Sequence, residues 1–165
     1  MSINSNKQDR LKRGKEVEKA FEEYCIQREY PFWQFGYDGE FAGHKIELDD
    51  FLWKTPDYIA KVDFIDHKNA HYFEVKTLNN KFMLLKEKDH KGYGIWNILD
   101  HMVVYYAIYD CRYKDFIFIN WADMHKLQQK YKVEEIYVDK NEGYASNKAK
   151  KIPNEEIQVF RKDLF

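Results

Sequence analysis

A chain of 165 residues with 27 basic and 28 acidic side chains has a formal net charge of −1, so any nucleic-acid surface on it must be local rather than global. Aromatic residues make up 18% of it, which argues against disorder, and the length suits one domain over residues 1–165. The polar N-terminus and the lack of a long apolar run predict a cytoplasmic protein that does not cross a membrane, with Cys25 and Cys111 as buried thiols.

Residues 1–9 are polar and read as a frayed end. Arg10 to Arg28 reads as the first helix, because Val17, Ala20, Phe21, Tyr24 and Cys25 recur on one face and charge fills the rest. Gly14 costs about 1 kcal/mol against Ala inside a helix, which suggests close approach or helix-start geometry. Tyr30-Pro31 closes the helix, since the residue before proline is pushed out of the α region. Phe32 to Phe35 then reads as a strand. Gly36 to Lys54 looks like an insertion whose acidic residues, Asp38, Glu40, Glu47, Asp49 and Asp50, form a solvated face, with a second cation site as the alternative.

Thr55 to Ala60 and His71 to Leu78 are rich in aromatic and β-branched residues and read as two strands of a hairpin. Alternation sends Phe73 and Val75 to one face and Glu74 and Lys76 to the other. Asp57 and Asp63 share a face of their own strand, opposite Ala60, Val62 and Phe64. Registered as a hairpin, the acidic faces can meet and hold an oxygen-ligated cation, with a lysine beside it to steady developing charge. A tight turn near Lys68-Asn69 would set Asp63 across from Glu74, whereas a bulge would set Asp57 there. The alternative is a half-exposed hairpin with a solvated charged face.

Asn79 to Tyr93 reads as a basic, loop-rich stretch. Lys81, Lys86, Lys88 and Lys91 could hold a phosphate backbone, and Tyr93 and Trp96 could stack on bases. Gly94 to Tyr109 reads as a second helix on the spacing of Ile95, Ile98, Leu99, Met102, Val103, Tyr106 and Ala107, with His101 packed inside it. Asp115 to Asn120 is an apolar run suited to a buried strand. Trp121 through about Tyr131 reads as a third helix with Asp123 as a candidate cap. Glu135 to Val138 reads as one more strand, and Lys148, Lys150 and Lys151 fall in a polar stretch beyond it.

Pro56-Asp57 followed by Glu74-Val75-Lys76, with 16 residues between Asp57 and Glu74, resembles the signature of the PD-(D/E)xK nuclease superfamily. Gly14-x-x-x-Glu18 is similar to a motif in the first helix of many members, the Holliday-junction resolvases among them. The resemblance implies an α/β, restriction-endonuclease-like fold, with an αβββαβ core over about residues 10–121 and C-terminal additions over 122–165. A central mixed sheet would be flanked by helices. It implies a Mg²⁺-dependent deoxyribonuclease, acting as an endonuclease, in which Mn²⁺ can substitute. Asp57, Glu74 and the Val75 carbonyl would bind the metal, and Lys76 and Glu18 would assist catalysis, with Glu22 as the rival of Glu18. The partner would be DNA of unspecified strand form, and a homodimer is left open. The alternative is a nuclease-fold protein that binds nucleic acid or a protein without cleaving.

Overall fold

Straight-chain residues lose little side-chain freedom in a helix, and no proline or glycine precedes Gly14. Helix α1 (Ile3–Gln27) accordingly begins at Ile3 and not at Arg10. The structure, a computed structural model, describes residues 3–36, 40–41, 44–45, 55–99, 101–136 and 147–161. Val17, Phe21, Tyr24 and Cys25 of α1 are buried, as their spacing requires. Gly14 is mid-helix and exposed, and a Cβ there would meet nothing, so neither close approach nor helix-start geometry explains it.

After β1 (Phe32–Gln34) the described part of the insertion contains a two-residue hairpin, β2 (Glu40–Phe41) with β3 (His44–Lys45). The acidic residues Asp38, Glu47, Asp49 and Asp50 lie outside the described residues, as do Asp100, Tyr137 and Val138. β4 (Tyr58–Ala60) then pairs antiparallel with β1 and with β5 (His71–Leu78). The β4–β5 register sets Tyr58 opposite Phe73, so Asp57, one step further, stands across from Glu74. Asp63 is instead exposed in the connection of residues 61–70 and takes no part in this pairing. A long connection, with no tight turn at Lys68-Asn69, is what sets this register.

The stretch expected to be a basic loop is ordered as β6 (Phe82–Lys86) and the first half of α2 (Glu87–Leu99). Glu87 and Asp89 fall in the first helical turn, where the positive end of the helix dipole favours them. The second half of the expected helix is instead β7 (Val104–Asp110). Val103, Val104, Tyr105, Tyr106, Ile108 and Tyr109 are β-branched or aromatic, and a run buried on both faces carries no strand period to betray it. His101 is therefore exposed between α2 and β7 rather than packed in a helix.

β7 lies parallel to β5, and β6 with α2 supplies the crossover that a parallel pair needs. β8 (Asp115–Asn120) pairs antiparallel with β7, completing a mixed sheet of order β1-β4-β5-β7-β8. The αβββαβ order is met by α1, β1, β4, β5, α2 and β7. Its last strand is thus β7, not residues 115–120.

α3 (Trp121–Gln128) is capped by the Asn120 side chain, which accepts from the Asp123 backbone N–H, so Asp123 is not the cap. β9 (Glu134–Ile136), β10 (Asn147–Pro153) and α4 (Asn154–Gln158) follow. The lysine-bearing stretch is thus a strand, and it joins β6 and β9 in a second sheet of order β6-β10-β9.

Two apolar layers sandwich the main sheet. On one face Phe21 of α1 meets Tyr58, Phe73 and Phe116 at ring-centroid distances of 5.1, 5.5 and 5.6 Å. On the other, Tyr72, Tyr106 and Ile108 pack with Tyr93 of α2, Met124 of α3, Ile152 of β10 and Ile157 of α4. Cys25 is buried, which pushes its thiol up to about 12, while Cys111 is exposed, contrary to the expectation of two buried thiols.

Candidate active site

Beyond Tyr58 the β4–β5 ladder ends, and the Asp57 side chain takes over the pairing. Its Oδ2 accepts the Val75 backbone N–H at 2.8 Å. The Asp57 backbone is pinned as well, because its carbonyl accepts from the N–H groups of Phe35 and Gly36 at 2.8 and 2.9 Å. A Cβ on Gly36 would stand 3.3 Å from the Asp57 Cα, so a bare backbone is what permits this approach. In an extended strand a residue's N–H and C=O point to the same edge. The Val75 carbonyl therefore also turns toward the gap that Asp57 fills.

Phe73 and Val75 face α1, so Glu74 and Lys76 face α2, as alternation predicts. Glu74 is 1% exposed, and a carboxylate so deep must be paired to remain charged. Lys76 is its counter-ion, with Nζ donating to Glu74 Oε1. Burial pulls the Lys76 ammonium down, but the charges of Glu74, Asp57 and Asp89 outweigh it and hold the group above its ordinary value. Asp89 thus belongs to this charge cluster, which the sequence pattern does not suggest. It lies in a stretch that reads as a polar loop, and only a place in the first turn of α2 could draw attention to it.

Tyr93 is fully buried and cannot stack on a base, which corrects its expected role. Burial, with the Glu74 carboxylate next, pushes its phenol well above the ordinary tyrosine range. Its phenol lies beside that carboxylate. Lys81, Lys86, Lys88 and Lys91 are all exposed along residues 81–91, and Lys91 pairs with Glu87 at 3.4 Å.

α1 packs across the sheet face opposite Glu74 and Lys76. The Tyr58 hydroxyl donates to Glu22 Oε1 at 2.8 Å, which commits that carboxylate. Burial raises the Tyr58 phenol first, and the charges of Glu22, Glu18 and Asp57 add to the effect. Glu18 and Asp57 thus act on the same hydroxyl, which places Glu18 on the α1 side of the sheet.

Among the described residues no group of three or more His, Cys, Asp or Glu side chains is placed to hold a metal ion. What the gap offers is two carboxylates, Asp57 and Glu74, and a backbone carbonyl. These are hard oxygen donors, and Mg²⁺ keeps several waters and asks for only one or two carboxylates. The donor chemistry fits that cation.

No family model and no curated protein matches the chain. Among solved structures it is similar to Hjc, a Holliday junction resolvase from the archaeal hyperthermophile Archaeoglobus fulgidus. The TM-score is 0.55 at 12% identity, with 92% of each chain covered. The likeness establishes the fold, a central mixed sheet flanked by helices of the restriction-endonuclease-like kind.

Proposed function

We propose that the chain is a divalent-cation-dependent nuclease acting on DNA, with Asp57, Glu74 and the Val75 carbonyl as the cation ligands. The observation that carries this is the Asp57 carboxylate held on the Val75 N–H, beside the buried Glu74–Lys76 pair, where β4 and β5 part. The fold shared with a junction resolvase supports DNA as the substrate. Mg²⁺ is the proposed ion, with Mn²⁺ able to replace it, and when bound it would polarise the phosphoryl group and acidify an attacking water. Endonuclease action, a cytoplasmic site of work and assembly as a homodimer complete the reading.

The chain's own groups have separable tasks. Asp57 and Glu74 supply the negative charge that a cation needs, and the Val75 N–H fixes the Asp57 rotamer. Lys76 stays protonated near neutral pH, so it donates hydrogen bonds and stabilises charge on the phosphoryl oxygens rather than accepting a proton. Glu18 supports the site from the rim, and Lys81, Lys86, Lys88 and Lys91 contact the phosphate backbone.

Cleavage of single strands, duplexes and four-way junctions with Mg²⁺ or Mn²⁺ tests the reading. Asn at position 57 keeps an oxygen for the Val75 N–H, so Asp57→Asn should fold normally, bind Mn²⁺ far more weakly and lose cleavage. Lys76→Ala should lower kcat by about 10²–10³-fold with DNA affinity nearly intact, the mark of an interaction made in the transition state. Glu18→Gln should cut cleavage without unfolding. Wild-type protein that cleaves none of these substrates would refute the enzyme.

A further inference from the structure

One hydroxyl deep in the core takes no part in the hydrogen bonding that holds the fold. Tyr93 of α2 is fully buried, and among the described residues its hydroxyl meets no partner at full hydrogen-bond geometry. A phenylalanine would pack as well there without a polar atom to bury, so the oxygen asks for a role beyond packing. Beyond burial, the charge that bears most on this phenol is that of Glu74, which also stands within hydrogen-bonding reach of it.

The surrounding contacts set where the phenol stands. The Tyr93 ring meets the Tyr106 ring edge-on, with 6.0 Å between centroids. Tyr106 is the partner of Glu74 in the parallel β5–β7 register, so both side chains lie on the sheet face that α2 covers. The Tyr106 hydroxyl is engaged by His90, whose Nδ1 lies 2.6 Å away, which leaves Tyr93 as the phenol that serves Glu74. α2 is itself held in place. The Trp121 indole of α3 donates to the His90 carbonyl at 2.9 Å, and its ring lies where a Cβ on Gly94 would come within 2.7 Å of it.

Glu74 has room for such a donor. Its Oε1 accepts from Lys76 Nζ, which leaves Oε2, also buried, for a second hydrogen bond. A carboxylate offers about four lone-pair sites, so one donor on each oxygen still leaves each oxygen a site for a cation. On the reading of Glu74 as a cation ligand, we propose that Tyr93 is its positioning residue, with the hydroxyl donating to Glu74 Oε2 while Lys76 holds Oε1. A phenol is neutral at physiological pH, so this donor fixes the carboxylate without adding a positive charge that would repel the cation. Outer-shell donors of this kind orient metal-binding groups before the metal arrives.

Tyr93→Phe removes the oxygen and keeps the ring against Tyr106; its fold is checked by thermal melting. In cation-free protein the Glu74 carboxyl ¹³C resonance should move in Tyr93→Phe and stay in place in Tyr106→Phe. A displaced Asp89 resonance with Glu74 unmoved would give the phenol to Asp89, one turn earlier on α2, and would overturn the proposal. Mn²⁺ titration tests the consequence. Tyr93→Phe should weaken Mn²⁺ binding about 10-fold, the lower end of typical outer-shell losses, and Tyr106→Phe should not. Equal affinity in wild type and Tyr93→Phe refutes the positioning role, and so does an equal loss in both variants, which would make the effect one of packing. Should the wild type bind no Mn²⁺, the cation reading itself fails. The ¹³C resonance then decides alone: a displaced Glu74 signal in Tyr93→Phe keeps Tyr93 as the group that orients Glu74, and an unmoved one removes it.

Discussion

His90 carries a pH signature distinct from that of Asp110. Burial, followed by the charges of His125 and Lys150, lowers its pKa from the usual 6.5 to about 4. The groups facing it are His125 and Trp121 from α3, Tyr106 from β7 and Lys150 from β10. The unfolded chain takes up this proton first, so stability is full above pH 6.5 and declines as pH falls toward 4. Asp110 behaves differently. Burial raises its carboxyl, but hydrogen bonds from Arg112 and Gln158 outweigh that and hold it at about 2, so its contribution is lost only below pH 3.8. A tenfold difference in proton affinity between the folded and unfolded chain is worth about 1.4 kcal/mol. Stability followed by thermal melting should therefore fall by up to about 3 kcal/mol between roughly pH 7 and pH 4.5. His90→Asn should flatten that slope and leave the steeper loss below pH 3.8; an unchanged slope would clear His90 of the effect. At this scale the sequence is readable where chemistry sits in a local pattern. Pro56-Asp57, at the entry to β4, and Glu74-x-Lys76, within β5, announce themselves beside strands of plain character. His90, Asp89 and Tyr106 do not, because their meaning depends on which helix and which strand carry them.

Two glycines show how an element's environment decides the sign of one substitution. At Gly14, mid-way along α1, an added Cβ meets open space, so Gly14→Ala should stabilise the protein by about 1 kcal/mol, the helix-propensity difference. At Gly94 in α2 the same Cβ would come within 2.7 Å of the Trp121 ring. That ring cannot swing aside without losing its hydrogen bond to the His90 carbonyl and its stack on two imidazoles. Overpacking costs about 1–3 kcal/mol, which exceeds the propensity gain, so Gly94→Ala should lower the denaturation midpoint where Gly14→Ala raises it. Equal changes in midpoint would show that α2 and α3 are not in close contact. The elements around Gly94 are also the hardest to read. Periodicity of three and four fits Ile95 to Ala107 as one helix, yet the stretch divides between α2 and β7. A strand buried on both faces offers no alternation, and tertiary burial overrides the helical count.

On the scale of the whole molecule, β10 and α4 are built into the core. Ile152 and Ile157 are fully buried in the layer that covers Glu74, and β10 supplies the ladder partner of β6. Asp110, at the end of β7, ties α4 in place. It accepts from Arg112 at 2.9 Å, Gln158 at 2.7 Å and Arg161 at 3.0 Å. A chain ending at residue 146 would forfeit about 1.5–3 kcal/mol for each of the two isoleucines, before counting the lost ladder. Typical domains hold only about 5–15 kcal/mol, so this truncation should abolish a cooperative melt, while removal of residues 162–165 should not. The strand order is only partly legible. The first helix and the pairing of residues 58–60 with 71–78 follow from element types in sequence, but the last core strand is β7 rather than residues 115–120, and the β6–β10 pairing joins segments that no short-range pattern connects.

That pairing has a consequence for how the chain is made. β6 is synthesised about sixty residues ahead of β10, and Lys86 cannot meet Ala149 until the later segment has left the ribosome. At about 5–20 residues per second, Met83 and Leu85 wait roughly 3–12 s on an open edge. During that interval β5 and β7 can already be in register, with the pocket for Glu74 formed on one side only. Until β10 arrives, the layer that covers Glu74 lacks Ile152 and Ile157, so the burial of that carboxylate is completed only by the last segment of the core to be synthesised.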